Sequence, residues 1–403
     1  MKIYFGFNDI RQDGMGSEAT SLMRILKKQG IEVQPVHPWK KVLIPQYIEE
    51  FAPIFLTDSE EEPALSDIIS KMVEVVNSDK RCNVFSHFGS PNWACIVPYL
   101  RPDIRVVVSI HSITPSALKI ALSYKERASM FVAISWEVQR KLYKQLPKSY
   151  HSKIRLITNA LDTAQYPVKQ QEPHTGKVRI VFFGRIEDYT KGCDKIPKIA
   201  KKLKEMNLDF IWDFYGYFHW GYEKRFYAYN KKYGVEDVIF YKRCLQPNEI
   251  ASAVSQYDIM VMPSNHEGFG LALIEAMSMG LACVASLIPH VTDMIVEHGK
   301  EGLLCERNNI GQFADSIYQL ATDPNLRAQM GQAAHEKVAT CFGLEKQGED
   351  YKKAFEEILT TQNYTLIKPT QNLKSFKQPE AVKSHILARI LPGWLKRFLK
   401  RYV

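Results

Sequence analysis

The chain has 403 residues, 45% of them hydrophobic; that length exceeds what one core usually supports and predicts two domains. The formal net charge is +9, but residues 361–403 hold nine Lys/Arg against the single acid Glu380, so +8 belongs to the tail and +1 remains for residues 1–360. A general nucleic-acid binder more often spreads its cations over a folded face, which counts against that class for the globular part and leaves a basic-tail nucleic-acid binder as an alternative.

The seven cysteines are odd in number and form no C-x-x-C, which predicts reduced thiols and neither a disulfide frame nor a zinc site. Met1-Lys2 leads straight into the first strand, Ile3 to Phe7, so no signal peptide is expected. No apolar run approaches the roughly 18 residues that span a bilayer.

The segment Gly14-Met15-Gly16-Ser17-Glu18-Ala19 reads as a glycine-rich loop, followed by a helix to about Gln29. Its G-x-G-x-x-A pattern, with Glu32 beyond, fits a dinucleotide fingerprint. Asn8 to Asp13 separate it from the strand, which is long for the tight first turn of that motif. This counts against a dinucleotide-dependent oxidoreductase.

Apolar residues Leu65, Ile68, Ile69, Met72, Val73 and Val76 predict a helix, and Asn83 to His87 a strand end. Buried strands are expected at Arg105 to Ile110, Phe131 to Ile134 and Ile154 to Ile157. They end at His111, Ser135 and Thr158-Asn159, the edge at which open α/β sheets hold ligands. From the residues alone His111 is equally a satisfied structural histidine or a ligand contact.

Tyr166 to Lys177, with Pro167, Pro173 and Gly176, reads as a linker. A new strand, Val178 to Phe183, opens the second domain. The following loop carries Arg185 and Lys191, two cations that suit a diphosphate. Strands follow at Asp209 to Gly216 and Val238 to Tyr241, with Lys242 and Arg243 expected in the next loop.

Ile259 to Met262 and Ala282 to Ala285 are short apolar runs, as in strands buried on both faces of a parallel sheet. Between them Leu271 to Met279 is helix-forming. Glu267 precedes Gly268-Phe269-Gly270, and Glu275 lies in the helix. The unit places helix N–H groups and two carboxylates at a sheet edge, where anions and hydroxyls can be held.

Helices are expected at Gln312 to Leu320, Asn325 to Val338 and Glu345 to Leu359. Thr360 to Gln378 reads as a tether. Residues 381–403 carry six Lys/Arg and no acid, with Val382, Ile386, Leu387, Ile390, Trp394, Phe398 and Tyr402 on one helical side. That is the pattern of a helix lying in a bilayer interface; the alternative is a helix docked on the protein's own core.

Two stretches resemble the retaining GT-B glycosyltransferases of glycosyltransferase family 4. One is Gly184-Arg185-x5-Lys191-Gly192; the other is Pro263-Ser264-x2-Glu267-Gly268-Phe269-Gly270-x4-Glu275-Ala276-Met277-x2-Gly280. The resemblance covers about residues 1–360. It implies an α/β fold of GT-B architecture, two Rossmann-like domains facing a cleft, plus the C-terminal amphipathic tail. Residues 1–168 would form the acceptor-side domain, with 345–360 crossing back to it. Residues 176–344 would bind the sugar nucleotide, 361–380 would be the tether and 381–403 the basic tail.

The same resemblance implies that Glu267 contacts the donor sugar and Glu275 the ribose hydroxyls. His111 would face the sugar, and Arg185, Lys191 and main chain at Gly268, Phe269 and Gly270 would hold the diphosphate. The loop around Gly16 would close over that diphosphate. The expected reaction is hexosyl transfer from a UDP- or GDP-sugar to a glycan or lipid-linked acceptor, in bacterial cell-surface polysaccharide or lipopolysaccharide synthesis. No D-x-D occurs in the chain, so no metal and no other cofactor is expected. Peripheral attachment to the cytoplasmic face of an anionic membrane through 381–403 is expected, and no nucleic acid. A GT-B epimerase or phosphorylase is the remaining alternative.

Overall fold

The computed structural model describes residues 1–8, 14–40, 45–168, 176–219 and 221–361. The tail at 381–403, and the tether apart from Thr361, lie outside the described residues.

Seven strands build the first sheet: β1 (Lys2–Gly6), β2 (Glu32–His37), β3 (Ile54–Phe55), β4 (Cys82–His87), β5 (Arg105–Ile110), β6 (Ala128–Ala133) and β7 (Ile154–Leu156). Six build the second: β8 (Val178–Phe183), β9 (Phe210–Tyr215), β10 (Ile239–Arg243), β11 (Ile259–Met262), β12 (Ala282–Leu287) and β13 (Leu303–Glu306). Every pairing is parallel, in the orders β3-β2-β1-β4-β5-β6-β7 and β10-β9-β8-β11-β12-β13. Parallel strands covered by helices on both faces must be apolar throughout, and β6, β11 and the first five residues of β12 are buried at every position.

Strand order reverses between β1 and β4 in one sheet and between β8 and β11 in the other. Adjacent loops diverge at such a point and leave a crevice at the carboxyl edge. In the second sheet the loops at that crevice are 184–192 and 263–270, the two that carry the distinctive motifs.

Helix Leu344–Thr360 crosses back onto the first sheet. Tyr351 and Phe355 are fully buried beside Ile3, Phe5 and Val107. Gln347 Nε2 donates to Glu18 Oε1 and to the Thr158 carbonyl, each at 2.9 Å. Arg105 Nε donates to the Ile358 carbonyl at 3.0 Å. These bonds join a helix that follows the second domain to three elements of the first.

Two local expectations are corrected. Gly14 to Ala19 is not a loop but the start of helix Gly14–Lys28. The helix-forming run from Ser17 onward, docked against the crossing helix, outweighs the turn preference of two glycines. Lys242 and Arg243 are not in a loop but end β10. Lys242 Nζ reaches the buried Asp213 on β9 at 3.3 Å, which favours extending that strand. Among the described residues no helix is long and apolar enough to cross a membrane. All seven cysteines are free thiols, five of them buried.

The crossing helix docks closely at Gly348, where a Cβ would fall 2.5 Å from Ile25 Cγ1. Gly348→Val should therefore lower unfolding free energy by about 1–3 kcal/mol through overpacking. Urea unfolding checks this; an unchanged midpoint would mean the helix is loosely seated.

Candidate functional site

A cleft of about 390 Å³ lies between the carboxyl edges of the two sheets. Ser17, His111, Ile134 and Asn159 line it from the first domain. From the second come Arg185, Lys191, Glu267, Gly268, Phe269, Gly270 and Glu275. Residues brought forward by the sequence thus meet at one place from both domains, although nothing in their spacing places His111 opposite Gly268.

The contact between the domains is tight there. A Cβ on Gly268 would stand 2.6 Å from the His111 carbonyl oxygen, inside van der Waals contact, so only glycine lets the turn lie against that backbone. Glu137 N–H donates to the His290 carbonyl at 3.0 Å across the same boundary.

The 184–192 loop holds its cations in place. Arg185 Nε donates to Glu187 Oε1 at 2.8 Å and Nη2 to Thr190 Oγ1 at 3.0 Å. The Thr190 hydroxyl in turn donates to the same Glu187 oxygen. Lys191 Nζ sits 2.7 Å from Glu267 Oε1, which also accepts from Ser264 Oγ at 2.7 Å. The Glu267 side chain is only 8% exposed, and a carboxylate so enclosed needs such partners.

Glu275 faces the cleft from helix Leu271–Ser278. Enclosure by the protein pushes its carboxyl up to about 7, against a hydrogen bond from Tyr166 and the nearby Lys191 charge. Tyr166 Oη donates to Glu275 Oε1 at 3.1 Å. The helix starts at Gly270 without a side-chain cap, so its first N–H groups are open to an anion in the cleft.

Burial holds the His111 imidazole down at about 4, so the ring is neutral at pH 7. It packs against Phe88 with centroids 4.7 Å apart, and its Nε2 has no hydrogen-bond partner among the described residues. Asn159 Oδ1, also buried and lining the cleft, lacks one too. Both are buried polar atoms beside the cleft left without a protein partner among the described residues.

Gly16 is not among the residues that line the cleft; it lies in the first helical turn, where its carbonyl accepts from Thr20 Oγ1 at 2.8 Å. Its neighbour Ser17 takes that place. Lys242 and Arg243 do not reach the cleft either, and Cys244, Leu245 and Pro247 line it instead. Sequence reasoning missed Tyr166, read there as the start of a linker yet only 7% exposed. It also missed Glu187 and Thr190, which lie inside the Arg185 to Lys191 motif and whose spacing could have flagged them as partners of Arg185.

Residues 166–337 match the family model "Glycosyl transferases group 1". The match lies in the second domain, and the two-domain fold is GT-B. N-acetyl-alpha-D-glucosaminyl L-malate synthase of Bacillus anthracis is 32% identical over 112 residues, 28% of this chain and 29% of that protein. D-inositol 3-phosphate glycosyltransferase of an Arthrobacter species is 29% identical over 161 residues, 40% of this chain and 38% of that protein. The chain thus spans well under half the length of these curated relatives. The structure of Anabaena HepE in complex with UDP and glucose superposes with a TM-score of 0.73. It covers 89% of this chain and 100% of that one at 16% identity, a likeness of fold.

The hydrogen bond from Tyr166 favours the charged form of Glu275. Removing it by Tyr166→Phe should raise the Glu275 carboxyl above 7. Carboxyl carbon NMR titration of selectively labelled protein measures this; an unmoved or lowered value would mean that the hydroxyl does not hold the carboxylate.

Proposed function

We propose that the protein is a retaining hexosyltransferase. It would move a sugar from a nucleotide diphosphate to a hydroxyl of a glycan or lipid-linked acceptor, in the synthesis of a bacterial surface polysaccharide or lipopolysaccharide. The observation that carries this reading is the Lys191–Glu267 pair at 2.7 Å, set beside Arg185 and across from Glu275 in one interdomain cleft. The family match in the second domain and the UDP and glucose bound by Anabaena HepE support a UDP-sugar donor, and a GDP-sugar is the alternative.

On this reading, negative charge grows on the diphosphate as the glycosidic bond breaks. Arg185, Lys191 and the N–H groups at the start of helix Leu271–Ser278 meet it. They are oriented beforehand by Glu187, Thr190 and Glu267, so little reorganisation accompanies the charge. No metal is required for that balance.

Glu275 accepts the ribose hydroxyls, which favours its ionised form. Glu267 acts as a positioning group, since its Oε1 already accepts from Lys191 and Ser264. The neutral His111 offers Nε2 to the sugar. Retention of configuration rests on the family resemblance, and the anomeric signal of the product reports it.

A panel of UDP-, GDP- and dTDP-sugars tests the assignment. The true donor should be consumed, with EDTA without effect, and should protect against unfolding by about 2.7 kcal/mol at 100 times its Kd. Arg185→Ala and Lys191→Ala should each slow turnover by about a hundredfold or more while the fold persists. Near-normal rates in both variants, or an epimer as the only product, would refute the assignment.

We also propose peripheral attachment to an anionic membrane through residues 381–403. The amphipathic pattern of that segment supports it. Deleting 381–403 should abolish sedimentation with anionic vesicles, and salt should weaken it in the full chain, at about 1 kcal/mol per cation near the surface. Full-length protein that ignores such vesicles at low salt would end this part of the reading.

A further inference from the structure

The loops that bring Lys191 and Glu267 into the cleft also build a shelf outside it. Tyr189 is 57% exposed. Its ring lies 5.6 Å from that of His266 at an interplanar angle of 39°. His266 immediately precedes Glu267, and Tyr189 stands two residues before Lys191. Below the rings is a hollow of about 740 Å³, which Asp188, Asp194, Arg225, Asn265 and Arg307 also line. That volume is in the range of small-molecule sites.

The shelf is rigidly framed. The N–H groups of Asn265 and His266 donate to the Thr190 carbonyl at 2.7 and 3.1 Å. Asn265 Nδ2 donates to the carbonyls of Asp188 and Tyr189 at 2.8 and 3.3 Å. Arg307 Nη1 donates to the Asn265 carbonyl at 3.2 Å, and Arg225 pairs with Asp188 at 3.1 Å. The two loops are therefore tied to each other directly beneath the residues that carry the rings.

One exposed tyrosine is ordinary. An aromatic pair ringed by carboxylates, a carboxamide and guanidinium groups is a more particular composition. A pyranose has an apolar C–H face and a rim of hydroxyls. The exposed Tyr189 ring gives that face an apolar support, with His266 tilted beside it. Asp, Asn and Arg give the hydroxyls acceptors and planar donors. A free phosphate would meet Asp188 and Asp194, and an alkyl chain would strip water from charges it cannot satisfy. Partial desolvation, with Arg307, Lys141 and Lys195 nearby, lowers the His266 pKa against the opposing charge of Glu267.

We infer that the Tyr189–His266 shelf, on the second domain and outside the cleft, binds a saccharide: a part of the acceptor remote from the hydroxyl that reacts on the 1–168 side. This rests on the glycosyl-transfer reading and narrows the acceptor to one that carries a further sugar beyond the reacting one.

Saturation-transfer NMR on the full chain with UDP present tests it. The probes are the methyl α- and β-glycosides of glucose, galactose, mannose and N-acetylglucosamine. At least one should receive saturation on its ring protons. Tyr189→Ala should weaken that glycoside about tenfold or more, Tyr189→Phe should retain it, and UDP affinity should stay within about twofold in both. Binding of UDP without any glycoside signal, or equal glycoside affinity in wild type and Tyr189→Ala, would overturn the shelf. Failure of the wild type to bind UDP would instead overturn the donor-site reading beneath it.

Discussion

The cleft depends on one close approach, the turn at Gly268 lying against the carbonyl of His111. A Cβ there would come within 2.6 Å of that oxygen. The contact sets the distance between two sheets that share no strand. With it in place, the Glu267 and Phe269 side of the turn faces Ile134 and Asn159 of the other domain across a narrow gap. A bulkier turn would separate the two edges, and His111 and Asn159 would no longer line one cleft with the cations. The site is thus a property of the pair of domains, although its charged groups come from one of them.

Within the second domain the charges hold each other before any ligand arrives. Arg185 leans on Glu187 and Thr190, and Lys191 leans on Glu267. A cation tied down by a carboxylate is weakened as a free charge but gains direction. That trade suits a site in which charge must be met as it forms. Ser264 completes the arrangement by giving Glu267 a second donor, so the carboxylate does not depend on lysine alone in a nearly dry setting.

The crossing helix explains how such a cleft stays registered. Gln347 bonds both Glu18, one residue after Ser17, and Thr158, one residue before Asn159. Ser17 and Asn159 both line the cleft. The helix that follows the second domain therefore fixes two walls of the first. Glu18, only 3% exposed, accepts this amide, and burial pushes its carboxyl up to about 7.

Much of this was legible from local pattern. Apolar runs located β5, β8 and β11 closely, because strands buried on both faces need continuous hydrophobic side chains. Arg185 with Lys191, and Glu267 with Glu275, were readable as pairs because each lies within one loop or loop-helix unit. The same local logic misread Gly14 to Ala19, where docking of the helix against the crossing helix decided, and Lys242 and Arg243, where an ion pair across to Asp213 favoured the strand. Three choices lay outside the reach of sequence. Lys191 joins Glu267 across 76 residues, Tyr166 joins Glu275 across 109, and Gln347 joins Glu18 across 329. Periodicity says which face of an element is buried, not which distant element covers it. The composition of each half of the site was therefore written in the chain, while the meeting of His111 with Gly268 was decided only by packing.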